Sequence, residues 1–161
     1  MSRKIFAGLV PAMLLCAAPA ANAQMMMQGN VTAAQALTIV HRAIDACRDA
    51  SISITVLDRD GNVRLQVRGN GANPHNLELS RRKAYTARTF RRSSLEWAKR
   101  SETTNQAQRN LAEVIALGGG VPINVGNETI GAVGVSGTSG GQEGDDTCAK
   151  NAIAKVADQL K

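Results

Sequence analysis

The sequence of 161 residues predicts an α+β fold, a single domain with a central antiparallel sheet flanked by helices. Two alternating segments, "SISITVLD" and "NVRLQVR", lie on either side of Asp60-Gly61 and predict a β-hairpin. A second strand pair, "GGGVPINV" and "ETIGAVGVSG", turns at "VGNE". Helical patterns precede, separate and follow these pairs. Strands joined by hairpins rather than by helical crossovers indicate an antiparallel sheet.

The N-terminal residues 1–23 have the features of a signal peptide. Arg3 and Lys4 precede the apolar run "IFAGLVPAMLLCAAPA", and Ala21–Ala23 form a small-x-small site with cleavage before Gln24. Cys16 raises a lipoprotein alternative, which is disfavoured because Leu15 stands where a lipobox has a small residue. We therefore expect export to the periplasm or the medium.

The expected organisation is a signal peptide (1–23), a flexible leader (24–31) and one domain (32–161). Met25 to Met27 in the leader are soft ligands that would suit Cu(I), but three consecutive methionines at a new terminus are more often ordinary disorder. The apolar run is short and contains Pro11, which argues against stable membrane insertion.

The charge balance favours small anionic partners. The net charge is +6 and becomes +4 without the signal peptide, a value that suits an anionic small molecule or a membrane surface. Nucleic acid is disfavoured because one Trp, one Tyr and two Phe leave little for base stacking.

Two cysteines, Cys47 and Cys148, remain after cleavage. The first helix begins after Thr32, and its predicted apolar face is Ala33, Leu37, Val40, Ile44 and Cys47. We expect His41, at the edge of that face, to be partly buried and hydrogen-bonded rather than a metal ligand. If the first and last helices run antiparallel, the cysteines meet in a disulfide; the alternative is two buried thiols.

The last helix is predicted to begin at Asp145 or Asp146, either of which would serve as its cap. Its predicted apolar face is Ala149, Ala152, Ile153, Val156 and Leu160. Near the hairpin, Asp58 and Asp60 are interpreted as turn residues rather than paired catalytic acids.

Glycines in the second strand pair lower its strand propensity and indicate close approach of another backbone or a ligand; they are Gly131, Gly134 and Gly137. Familiar catalytic motifs are missing from the sequence. The glycine runs fit neither a dinucleotide fingerprint nor a phosphate loop, and no His follows Ser136 to complete a hydrolase triad.

The segment Pro74–Arg92, "PHNLELSRRKAYTARTFRR", predicts a helix with a cationic surface. Its stripe of Leu79, Lys83, Ala87 and Phe90 is apolar except for Lys83. Eight basic residues lie between positions 81 and 100 against one acid, Glu96, and this concentration of one sign favours an anionic ligand. Lys83 either snorkels to solvent or meets a group in the interior.

Several of these segments together resemble the GlcG/HbpS-like haem-binding family. They are "NPH" with "RRKAYTA" and "FRR", then "GGGVPI" with "IGAVGVSG", the hairpin "ITVLDRDGNVRLQVRGNGA", and an acidic residue shortly before a cysteine-containing last helix. The resemblance covers nearly all of the chain after the signal peptide. It implies a single α+β domain that associates into homo-oligomers. Some members of the family bind haem, and some are described as haem-degrading.

The resemblance also implies a ligand set for haem. His75 is the expected axial ligand of the iron, and Arg82 and Lys83 are expected to meet the propionates. Thr86 belongs to the same motif, and Gly118, Gly119 and Gly120 would let the macrocycle approach the backbone. The few aromatic residues depart from a usual porphyrin site, so modest affinity is expected.

Three functions follow as hypotheses. The first is an exported haem-binding protein that stores, relays or senses haem, with slow degradation as an extension. The second is an enzyme of unknown substrate in which Lys83 is a base or a Schiff-base lysine. The third is an oligomeric interaction module in which Lys83 pairs across a subunit interface with Glu78 or Asp145.

Overall fold

A computed structural model describes residues 28–47 and 51–160. The predicted signal peptide (1–23) and Met25 to Met27 lie outside the described residues. The helices are α1 (Ala33–Cys47), α2 (Pro74–Phe90), α3 (Ser94–Arg100) and α4 (Gly141–Ala154), and the strands are β1 (Ser53–Asp58), β2 (Val63–Arg68), β3 (Gly120–Val125) and β4 (Glu128–Ser136). Short 3₁₀ helices cover Gln106–Asn110 and Ala157–Gln159.

The four strands form one antiparallel sheet in the order β2-β1-β4-β3. Both predicted hairpins are present, and the predicted α+β class with flanking helices is confirmed. Asp58 stabilises the first hairpin because its Oδ1 accepts the backbone N–H groups of Asp60 and Asn62, both at 2.9 Å. Its turn role is therefore confirmed.

The sheet separates two layers of helices. α1 and α4 cover one face, where the main core includes Ile54, Val56, Val133 and Val135. α2 covers the other face, where Leu57 and Ala132 pack against Ala84 and Ala87. Alternation along the strands directs successive side chains to these two layers.

α1 presents a different face from the predicted one. Its buried residues are Ala36, Ile39, Val40 and Ala43, whereas Leu37 and Ile44 are 52% and 41% exposed. Both stripes have helical spacing, and the small side chains of Ala36 and Ala43 allow close packing against Ala149 and Ala152 of α4. The prediction for His41 is also wrong, because this rotation leaves the side chain exposed.

α1 and α4 are joined by a disulfide between Cys47 and Cys148. Their Cα atoms lie 5.5 Å apart, and the bridge spans 101 residues of sequence. Of the two predicted alternatives, the structure therefore has the disulfide between the first and last helices and not two buried thiols. Among the described residues, no helix combines the length and the apolar character that a membrane crossing requires.

Candidate functional site

His75 and Arg82 share one side of α2. His75 lies in the first turn, where its side chain is exposed, and Arg82 follows two turns later and is half-buried. Seven residues of helix rise place their Cα atoms about 10 Å apart along the axis. Arg82 Nη2 donates to the Val114 carbonyl at 2.6 Å, while its buried Nε has no hydrogen-bond partner among the described residues. An exposed imidazole and a half-buried guanidinium therefore lie on the same side of α2.

Lys83 points into the protein and is only 3% exposed. Its Nζ lies 2.7 Å from Asp145 Oδ2 and donates to the Val135 carbonyl at 3.3 Å and to Ser136 Oγ at 3.4 Å. Three acceptors for three ammonium protons satisfy the buried charge. Lys83 is thus neither snorkelling nor exposed.

Asp145 is the centre of this buried network. Its Oδ1 accepts Thr138 N at 2.9 Å and Thr138 Oγ1 at 2.8 Å, and Ser136 Oγ donates to Asn76 Oδ1 at 3.3 Å. The network connects α2, β4 and the start of α4.

Asp145 and Asp146 are not helix caps as predicted, because α4 already begins at Gly141 and places both in its second turn. The expected pairing of Lys83 across a subunit interface is replaced by a pair within one chain, and Glu78 pairs instead with Arg81 at 2.8 Å. Asp146 has its own partners, Ser93 and Lys150, and the hydrogen bond with Asp146 raises the pKa of Lys150.

Thr86 and the glycine segment are engaged in contacts within the protein. Thr86 Oγ1 accepts Ile115 N at 2.9 Å and donates to the Arg82 carbonyl at 2.9 Å. Gly118 N donates to Gln142 Oε1 at 2.7 Å, and Gly120 N donates to Ser94 Oγ at 2.8 Å. These contacts fix α2, α3 and α4 to the segment that leads into β3.

Gly120 lies so close to α2 that a Cβ added there would be 1.9 Å from the Lys83 carbonyl oxygen. The glycine is needed because the helix backbone itself fills the adjacent space. The assignment of Thr86 and of Gly118, Gly119 and Gly120 to a haem site stays a prediction.

The cationic surface of α2 is partly neutralised. Arg81 forms ion pairs with Glu78 and with Glu113, which lies outside the basic segment. The hydrogen bond to Arg81 lowers the pKa of Glu78. Burial, and then the neighbouring charges of Arg91 and Arg59, lower the pKa of Arg88. The remaining positive charge is therefore concentrated towards the C-terminal half of α2 and on α3.

The cavities in the described part of the chain include four of about 140 to 460 Å³. None of these four is lined by His75, Arg82 or Lys83. The largest, about 460 Å³, is an open groove beside the Cys47–Cys148 disulfide. Because His75 is exposed and Arg82 is half-buried on the same side of α2, a ligand that contacts both would lie on the surface of this chain.

A family model described as haem degrading protein HbpS-like matches residues 31–154. The chain belongs to the HbpS-like family. A protein from Citrobacter freundii, described as an uncharacterized 15.0 kDa protein in the dhaT-dhaS intergenic region, is 31% identical over 96 residues. That match covers 53% of this chain and 63% of the relative, which is less than two thirds of its length.

Solved structures with this fold include HbpS itself. Its crystal structure has a TM-score of 0.77 and 26% identity, covering 83% of this chain and 94% of HbpS. A PduOC:haem complex has a TM-score of 0.65 and 22% identity, covering 73% of this chain and 88% of that one. The second similarity shows the shared fold alone.

Sequence reasoning missed most partners of Lys83 within this HbpS-like fold. The sequence predicts Asp145 as a helix cap, as the acidic residue of the family resemblance or as a partner of Lys83 in another subunit, and it excludes Ser136 as a hydrolase nucleophile; neither is predicted to contact Lys83 within one chain. One signal was present, because a lysine in an apolar stripe requires a buried acceptor, but Asp145 lies in a polar, glycine-rich segment that gives no sign of burial. The Val114 carbonyl, which accepts a hydrogen bond from Arg82, could not have been predicted, since Val114 lies in an irregular segment.

Proposed function

We propose that this chain is an exported haem-binding protein that stores, relays or senses haem. The observation that carries the proposal is the HbpS-like family match across residues 31–154, nearly the whole folded region. The similarity in fold to a chain solved as a haem complex supports it further. When bound, haem supplies a redox-active iron, and the family description adds haem degradation as an extension of the same function.

The chain's own residues fit haem on the exposed side of α2. His75 presents an imidazole that is free to act as the axial ligand. Arg82 carries a half-buried guanidinium on the same side of the helix, a group suited to a propionate. Leu79 lies between them at helical spacing and offers apolar contact.

Lys83 is assigned a structural role rather than a propionate contact, because Asp145 already pairs with its ammonium. The same pair disfavours the lysine-dependent enzyme, since Lys83 is 3% exposed and its ammonium already donates to three acceptors. The surface position of His75 and Arg82 also favours a homo-oligomer, in which a second subunit would cover the outer side of the haem.

Export rests on the predicted signal peptide and on the disulfide, a bond that persists in oxidising compartments. Mass analysis of the protein from its native host should give a chain that begins at Gln24. Recovery of an uncleaved chain in the cytoplasm would contradict export while leaving haem binding open.

The absorption spectrum tests the haem proposal. Protein purified from its native host, or purified without haem and then mixed with hemin, is expected to show a saturable Soret shift. Absence of the shift from both preparations would contradict the proposal. Loss of the Soret band under oxygen and a reductant, compared with free hemin, would distinguish degradation from storage.

A further inference from the structure

A small cavity of about 150 Å³ lies where the end of α2 meets α3 and the following turn. Phe90 and Trp97 form its aromatic wall, with ring centroids 4.6 Å apart and planes inclined by 15°. Arg92 and Arg100 also line it, as do Asn105 and Gln108. Neither the predicted haem residues nor the Lys83 network contributes a side chain to this cavity.

The two arginines are unpaired in the described part of the chain. Neither forms an ion pair with a described residue, and the weak contact from Arg92 Nε to the Phe90 carbonyl spans 3.5 Å. Arg81, in contrast, has two carboxylate partners. Two guanidinium groups without counter-charges beside one cavity favour an anion, and Arg suits carboxylates because its planar donors can bind both oxygens.

The uncharged groups at the cavity rim are also available. Asn105 adopts a left-handed backbone conformation, with φ of 54°, and its side chain makes no capping hydrogen bond. The side chain of Gln108 forms no hydrogen bond with a described residue. Both amides can therefore donate to an oxygen of a bound ligand.

The size and the wall restrict the ligand class. The volume greatly exceeds the about 10–15 Å³ that one water needs, but is below the about 300–1,000 Å³ of pockets that enclose drug-sized ligands. Haem is too large for it. The aromatic wall favours a flat body, since aromatic faces and edges pack against each other in preferred geometries.

We propose that this cavity, defined by Phe90, Trp97, Arg92, Arg100, Asn105 and Gln108, binds a small aromatic carboxylate. The carboxylate lies between the guanidinium groups of Arg92 and Arg100, and the ring packs against Phe90 at the aromatic wall. This site is separate from the haem surface at His75, so the inference does not depend on the proposed function.

Benzoate is the probe, with benzamide as the uncharged analogue of the same shape. The chain has one tryptophan, so Trp97 gives a single fluorescence signal and a single indole N–H resonance. We expect benzoate to shift both signals saturably and benzamide to leave them unchanged at the same concentration. Equal responses to both compounds, or a non-saturable benzoate response, would overturn the proposal.

Arg100→Gln and the double variant Arg92→Gln/Arg100→Gln test the charged contacts. The double variant should weaken benzoate binding about tenfold or more, because it removes both guanidinium groups that would donate charge-assisted hydrogen bonds to the carboxylate. Lys99→Gln is the matched control: it removes the same charge from α3, but Lys99 does not line the cavity. An equal loss in Lys99→Gln would show only general electrostatic attraction and contradict the site.

His75→Ala provides the control for independence from haem. We expect it to leave benzoate binding unchanged, since His75 lies in the first turn of α2 and the cavity adjoins the last. A parallel loss of benzoate binding in His75→Ala would contradict the separation of the two sites.

Discussion

The position of Lys83 shows what a single buried charge requires. Lys83 is 3% exposed, and its Nζ lies 2.7 Å from Asp145 Oδ2. A charge removed from water is costly unless it is paired and its remaining hydrogen-bonding groups are satisfied, and Val135 and Ser136 supply the other acceptors. The lysine therefore stabilises the junction of α2, β4 and α4 only as a member of the pair.

Replacing Lys83 by Met should expose this dependence. The buried Asp145 carboxylate would lose its counter-charge, and we expect the free energy of unfolding to fall by about 3–5 kcal/mol. Urea denaturation at pH 7 measures the change. Lys99→Met, at an exposed position, should cost less than about 0.5 kcal/mol. Similar losses in both variants would contradict the buried-pair interpretation.

At the scale of elements, α2 lies unusually close to the sheet. A Cβ added at Gly134 would be 1.9 Å from the Ser80 carbonyl oxygen, and one at Gly120 equally close to the Lys83 carbonyl. The buried face of α2 is correspondingly small and polar at Asn76 and Ser80. Glycines on the strands thus set the helix position that brings Lys83 within reach of Asp145.

Gly134→Ala should move α2 away from β4. Because the new methyl group would meet backbone atoms on both Ser80 and Ala84, we expect a loss of about 3 kcal/mol or more in unfolding free energy. Gly29→Ala is the control, since its methyl group meets only side-chain atoms, the nearest at 3.0 Å. Comparable thermal stability of the two variants would refute the close-approach argument.

Arg81 pairs with Glu78 within α2 and connects the helix to the segment before β3 through Glu113. The hydrogen bond from Arg81 lowers the pKa of Glu78 below its ordinary 4.5. This interaction therefore adds stability above pH 4.5, which is lost as the pH falls through the lowered pKa.

Glu78→Gln should reduce the loss of unfolding free energy between pH 7 and pH 3. This loss should differ between wild type and Glu78→Gln by less than about 1 kcal/mol, since the carboxylate is largely exposed. Urea titrations at the two pH values measure it, with Glu143→Gln as a control that removes a charge lacking an ion pair with any described residue. An unchanged pH dependence in Glu78→Gln would contradict the role of the pair.

For the whole molecule, sequence periodicity predicted the order of strands and helices better than it predicted the contacts between them. The hairpin turns and the strand alternation specified both strand pairs, because tight turns and a period of two are local properties. The rotation of α1 was wrong because two stripes on that helix have acceptable spacing. The early start of α4 was missed because glycine-rich sequence resembles a loop.

The site was predictable only in part, for the same physical reason. His75 and Arg82 could be placed on one helix surface from their spacing. The partners of Lys83 and of Thr86 could not, since they come from β4, α4 and an irregular segment that only the fold brings together.

The Cys47–Cys148 disulfide connects the two ends of the fold. It spans 101 residues, and the chain-entropy model gives a stabilisation of about 4–5 kcal/mol for a loop of that size. Reduction, or the variant Cys47→Ser/Cys148→Ser, should lower the unfolding midpoint in urea accordingly. An unchanged midpoint, with two free thiols detected after reduction, would contradict that contribution.

The most direct test of the central claim is a hemin titration of three purified proteins followed at the Soret band. Wild type and His41→Ala should bind with the same spectrum, because His41 is exposed on α1 and far along the chain from the proposed haem surface. His75→Ala should lose the axial contribution, with a shifted Soret maximum and affinity weakened about tenfold or more. Identical spectra and affinities for wild type and His75→Ala would contradict the proposed haem site.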